Sequence, residues 1–341
     1  MAADRLYGLD LGTMNMKIFK VPTGVILNEK NMIATKKKKE VLAFGDDAYT
    51  MYERASDNIN INYPVKGGVI ADMTDMSRLL EAFLKKINCN NGFVKSNEFY
   101  MAVPSDITEV EKRAFFDLVS MSYFKSKNIF IVEKPIAAAL GEDIDIQVPS
   151  GTLIVDIGAD TTEVSVLAQG GTVLSRLLSI GGNTMDESIC NFMKKTSNII
   201  IGSKTAETLK IQLGSAIMSE VTRAKVYGRD LITGLPAQVD VDSYMIFEAM
   251  RETVFTIVDN IKLMLERIPP ELTSDVMGRG IIVTGGSSKI PGLGQLITRE
   301  TGLAAKISQK GDESVARGLG VIMANKDLKH LAFSIRESAF D

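Results

Sequence analysis

Two short stretches carry the same groups in the same order, an aspartate, a glycine and a hydroxyl: Asp10-Leu11-Gly12-Thr13 and Asp156-Ile157-Gly158-Ala159-Asp160-Thr161. Glycine lets backbone N–H groups approach a phosphate, Thr13 or Thr161 adds a hydroxyl donor, and Asp10 or Asp156 can hold a divalent cation through water, as magnesium prefers. One such turn is an ordinary hairpin tip. Two of them, about a domain's length apart, predict related half-molecules that each offer a loop to a shared cleft, and two facing loops can clamp a triphosphate.

Apolar, β-branched runs enter and leave each loop, Tyr7 to Ile18 and Gly151 to Val166, so both read as hairpins. In the first half, further strands are predicted at 24–28, 41–45, 98–103 and 128–133, with 58–65 irregular. Apolar residues spaced by three and four from Met76 to Ile87 predict a helix over 74–87, and Thr108-Glu109-Val110-Glu111 is a capping box opening a helix to about Ser122. Lys134-Pro135 starts another helix, whose Ala137-Ala138-Ala139 permits close packing.

In the second half a strand is predicted over 172–180, and Gly181-Gly182-Asn183-Thr184 opens a helix with a natural anion site at its start. A helix over 205–214 puts Glu207 and Lys210 on one face, as ligand contacts or as a surface salt bridge. Strand-like segments fill 219–241, and a long helix from about Asp242 to Arg267 stops at Pro269-Pro270. A buried strand from Gly280 runs into Thr284-Gly285-Gly286, backbone able to lie flat under a purine; 293–300 is helical, and the tail from 326 is a short docking helix. Strands alternating with helices predict an α/β fold.

At 341 residues the chain suits two domains, and 45% apolar with 24% charged residues is the balance of a folded soluble protein. A net charge of −3 argues against an electrostatic nucleic-acid binder. The one dense basic run, Lys36 to Lys39, lies between two strand-like segments and reads as a solvated hairpin tip. Cys89 and Cys190 have no metal-ligand spacing, which points to a reduced, cytosolic chain, and a single His330 near the C-terminus leaves no histidine base for the central chemistry. No apolar run approaches a membrane span, and Met1 to Arg5 lacks a signal-peptide core.

Taken in order, these motifs resemble the actin, Hsp70 and sugar-kinase superfamily of ATPases and, within it, the MreB family of bacterial actin homologues, from about residue 6 to 325. The phosphate loops match at Asp10-Leu11-Gly12-Thr13-Met14-Asn15 and at Asp156 to Val164, and the connecting helix at Glu133-Lys134-Pro135-Ile136-Ala137-Ala138-Ala139. The adenosine contacts match at Ile201 to Glu207 with Lys210, and at Thr284-Gly285-Gly286. The resemblance implies an actin-like two-domain fold with ribonuclease-H-like mixed sheets in each half: domain I over 1–145 with a small insertion near 32–75, and domain II over 146–341 with one near 181–245. It also implies a filament-forming ATPase that binds ATP or ADP with magnesium between the domains and organises cell shape in the cytoplasm. Its partners would be further copies in paired protofilaments, paralogous chains of the family and the inner face of the cell membrane. Phe93 and Val94 hold the position of the family's membrane-contacting loop.

Two departures stand out. Where the family has a glutamate that positions the attacking water, this chain has Lys134, which cannot accept a proton but can pair with the γ-phosphate or with Asp160; Glu133 stands one residue off. The usual Gly-Gly-Gly of the second loop is Gly158-Ala159-Asp160, with the water-orienting Thr161 kept. These predict normal ATP binding, slow hydrolysis and long-lived polymers. The alternatives are a specialised filament for helical shape and swimming in wall-less bacteria, a small-molecule kinase of the same fold, and a nucleotide-gated adaptor that does not polymerise.

Overall fold

The first hairpin is β1 (Arg5–Leu11) and β2 (Asn15–Lys20), antiparallel, with Asp10 opposite Lys17; β3 (Gly24–Lys30) adds to β2. The computed structural model describes residues 5–37, 40–89, 97–122, 124, 126–218 and 220–334. β4 (Ile33–Lys36), β5 (Glu40–Phe44), α1 (Asp46–Met51) and β6 (Ile59–Asn62) follow, and their sheet of order β5-β4-β6 packs on a small core of Met32, Ala34 and Ala48. The stretch expected to be irregular, 58–65, therefore carries β6, where Ile59 and Ile61 alternate with Asn60 and Asn62 at the strand period of two. The lysine run falls at the β4–β5 turn, with Lys36 and Lys37 exposed and Lys38 and Lys39 outside the described residues.

β7 (Val65–Lys66) pairs with β8 (Val69–Ile70). α2 (Met73–Lys86) buries Met76, Leu79, Leu80, Phe83 and Leu84, the stripe its spacing predicts, and the Asp72 side chain caps it by accepting from Asp75 N. Next come β9 (Asn97–Val103), α3 (Glu109–Ser120) behind its Thr108–Glu111 capping box, β10 (Ser126–Glu133) and α4 (Lys134–Gly141). The sheet order is β10-β9-β1-β2-β3, with β1, β9 and β10 parallel. Leu9, Ile18, Phe83, Phe99, Phe115 and Ile131 lie in its core.

The second set opens with β11 (Thr152–Ile157), β12 (Thr162–Ala168) and β13 (Gly171–Leu178), then α5 (Gly182–Thr196), β14 (Ile199–Ile200) and α6 (Ser203–Leu213). β15 (Arg223–Asp230) and β16 (Pro236–Asp242) form a ribbon that pairs with β14. α7 (Ser243–Leu265), α8 (Pro270–Arg279), β17 (Ile281–Thr284), α9 (Leu293–Thr301), β18 (Ala305–Ile307) and α10 (Ser314–Ala324) complete it. The main sheet here runs β13-β12-β11-β17-β18, with β11, β17 and β18 parallel. It repeats the layout of the first sheet, three consecutive strands and then two parallel ones.

By its internal contacts the chain forms two compact units: residues 1–150, 165–177 and 312–341, and residues 151–164 and 178–311. The first unit thus takes in most of β12 and β13 as well as the C-terminal segment. There α10 packs on α4, and each helix has a glycine at the crossing: a Cβ at Gly318 would collide with the Ala137 carbonyl, and one at Gly141 with the Ser314 carbonyl. The tail is a 3-10 helix over Lys326–Leu331 that buries Leu328 and Leu331, and Phe333 then bridges to Ile131. The long helix α7 stops ahead of Pro269-Pro270, as expected, and Pro270 then occupies the first turn of α8, where a missing N–H costs nothing.

Candidate functional site

In the first unit, the parallel strands β10, β9 and β1 end at one edge of the sheet, and Asp10 and Val132 flank the same residue, Ala102. Ligands of α/β sheets bind at such carboxyl ends. Gly12 to Asn15 makes the turn there, and a Cβ at Gly12 would stand 2.7 Å from the Asn15 carbonyl oxygen, so the bare backbone is required. The fully buried Asn31 holds this turn from both sides: its Nδ2 donates to Gly12 O at 2.8 Å, and its N–H donates to Met14 O at 2.9 Å. The Asn15 side chain donates to Asn28 Oδ1, and the Tyr63 hydroxyl meets the Met14 sulfur.

Asp10 is 4% exposed and has an ammonium group on each side: Lys17 Nζ lies 3.5 Å from Oδ2 and Lys134 Nζ 3.6 Å from Oδ1. The Oδ1 atom is buried and accepts no hydrogen bond. Lys134, expected to face Asp160 or a phosphate, thus has Asp10 as its partner. Glu133 is turned to other work, since its Oε2 accepts from Ser105 Oγ at 3.3 Å and from Thr172 Oγ1 at 2.5 Å. Lys17 was missed in the sequence. The signal was there, a charged residue inside the apolar run Met16 to Phe19 and directly across the hairpin from Asp10.

In the second unit, Gly158 N donates to Thr161 O at 2.8 Å and closes the second turn. Gly182 N donates to Gly158 O, Asn183 N to Ala159 O and Ser287 Oγ to Gly158 O, so the turn is seated against the start of α5. Asp160 accepts from Asn183 Nδ2 at 2.7 Å. Asp156 accepts from Thr284 Oγ1 at 3.0 Å across the β11–β17 register. Gly285 adopts φ +88°, and a Cβ there would collide with the backbone of Ile157; Gly286 beside it is exposed.

Lys210 leaves α6 to donate to Gly182 O at 2.9 Å and to Asp186 Oδ2 at 2.8 Å. Lys210, considered for a surface salt bridge with Glu207, makes this buried contact with α5. Burial pushes the Asp186 carboxyl up to about 6 against the pull of Lys210, with Glu207 and Glu187 adding to the rise, and its Oδ1 is buried without a hydrogen-bond partner. The structure therefore groups Asp10, Gly12, Thr13, Met14, Asn15 and Lys134 in one unit. It groups Asp156, Gly158, Ala159, Asp160, Thr161, Gly182, Glu207, Lys210, Gly285 and Gly286 in the other. Phe93 and Val94 lie outside the described residues.

Both turns suit a nucleotide's phosphates, with glycine backbone at the cradle and hydroxyls beside it. Magnesium held through water at Asp10 would share that carboxylate with the ammonium groups of Lys17 and Lys134.

The MreB/Mbl protein family model matches residues 4–331. The chain belongs to the MreB/Mbl family. It is 36% identical to the cell shape-determining protein Mbl of Bacillus subtilis over 94% of this chain and 96% of that one. It is also 36% identical to the cell shape-determining protein MreB of Escherichia coli, over 94% and 93%. MreB5 of Spiroplasma citri bound to ADP superposes with a TM-score of 0.89 at 31% identity, covering 95% and 98% of the two chains. A second structure of that protein holds AMPPNP. MamK from a double helical filament shares the fold at a TM-score of 0.77 and 21% identity, over 94% and 99%. The fold is actin-like, and the MreB/Mbl relationship extends over both phosphate-loop turns and the connecting helix.

Proposed function

We propose that this chain is a cytoskeletal ATPase that binds ATP at its glycine turns, assembles into filaments and organises cell shape in the cytoplasm. The observation that carries it is the pair of glycine-walled turns, one per unit, on a chain of the MreB/Mbl family; a relative at 31% identity, MreB5, binds ADP and AMPPNP. Gly12 to Asn15 and Gly158 to Thr161 would hold the phosphates, and Gly182, Glu207, Lys210 and Gly285-Gly286 the nucleoside. Hydrolysis is slow in this proposal, because Lys134 is no proton acceptor and the Glu133 carboxylate is engaged by Ser105 and Thr172.

Sedimentation and negative-stain electron microscopy with and without ATP test the assembly claim. Filaments and a nucleotide-dependent pellet are expected; a chain that binds ATP yet stays in the supernatant would be the adaptor instead.

A further inference from the structure

The parallel register of β11 and β17 closes at Asp156 opposite Thr284, yet the two segments stay together beyond it. Thr284 Oγ1 donates to Asp156 Oδ1 at 3.0 Å, Gly285 lies so close to Ile157 that a Cβ would collide with its backbone, and Ser287 Oγ donates to Gly158 O at 2.8 Å. Pairing that began in the sheet is thus carried on by hydroxyls and close packing into the two glycine turns of the second unit. Gly158 O also accepts from Gly182 N at 3.0 Å, so the second turn, the start of α5 and the Gly285-Gly286 turn meet at one carbonyl with both lone pairs in use. The neighbouring serine does other work: the buried Ser288 Oγ donates to Gly285 O at 2.7 Å and closes its own turn.

We propose that the Ser287 hydroxyl is a positioning group of the nucleotide site, which fixes the spacing between the turn that takes the base and the turn that takes the phosphates and so couples the binding of the two. The inference rests on the nucleotide-binding reading above and goes beyond it. A site whose turns are already spaced for the ligand does not lose free energy in ordering them when the ligand arrives. Only a ligand that touches both turns gains from this. Adenosine or tripolyphosphate, touching one turn each, has no use for the spacing. Without the hydroxyl each turn keeps its own closing bond, Gly158 N to Thr161 O or Ser288 Oγ to Gly285 O, and Gly158 O keeps Gly182 N as its donor. No acceptor at this carbonyl is orphaned by the change, so Ser287→Ala should fold as the native chain does.

The test is the affinity of the full-length chain for ATP with magnesium, for adenosine and for tripolyphosphate, each measured by competition with a fluorescent ATP analogue in the native protein, Ser287→Ala and Ser287→Thr. Ser287→Ala should bind ATP about three- to tenfold more weakly, the worth of one hydrogen bond, while adenosine and tripolyphosphate stay within about twofold of native. Ser287→Thr keeps the hydroxyl and should return ATP to within about twofold of native. An unchanged ATP affinity in Ser287→Ala overturns the proposal, as does a Ser287→Thr chain as weak as Ser287→Ala. Equal weakening of ATP and adenosine also overturns it, because the hydroxyl would then support one turn and not the spacing of two. Absence of ATP binding by the native chain would overturn the nucleotide reading itself, a different result from binding that is indifferent to Ser287.

Discussion

Asp186 is an acid that the fold holds against its preference. Its carboxyl is pushed up to about 6 from 3.8, first by burial, and only Lys210 at 2.8 Å favours its ionised form. Between about pH 4 and pH 6 the folded chain therefore binds more protons than the unfolded one, and stability falls as pH rises through that window and levels off above it. Urea unfolding should show this decline, on the order of 2–3 kcal/mol in total, and Asp186→Asn should flatten it. A native profile that rises from pH 4 to 6 would contradict the raised value. Asn31 acts at the same scale. It satisfies both sides of the first turn, so Asn31→Ala should leave Gly12 O without its partner and cost about 1–3 kcal/mol by urea unfolding.

Among the elements, the crossing of α4 and α10 is the tightest contact that the sequence concealed. The segment Ser314-Val315-Ala316-Arg317-Gly318-Leu319-Gly320 carries two glycines, which weaken the helical signal, yet Gly318 is there because the Ala137 carbonyl leaves no room for a Cβ. Gly318→Ala should destabilise by about 3 kcal/mol or more through overpacking. Gly278→Ala, in α8 with open space around it, should be neutral or stabilise by up to about 1 kcal/mol. The hairpins, the capping box and the stripe of α2 were legible because period, turn chemistry and burial agree within a few residues. The Lys134–Asp10 and Lys210–Asp186 pairs were not, since each joins residues that only the completed sheet or helix pair brings together. Lys17 lay between these cases, readable from hairpin register once that register was known.

For the molecule as a whole, each unit carries its own glycine turn. A nucleotide can change assembly only by its differential contacts in the ATP and ADP states. Slow hydrolysis would keep the ATP state populated and the filaments long-lived, so turnover and assembly should separate when Lys134 is changed. The most direct measurement is phosphate release alongside sedimentation, with ATP, for the native chain and Lys134→Glu. Slow native release that rises several-fold, roughly 1 kcal/mol of barrier, in a variant that pellets as the native chain does would bear out an assembling ATPase restrained at this position. Equal rates in the two chains, or native release as fast as in the variant, would contradict it.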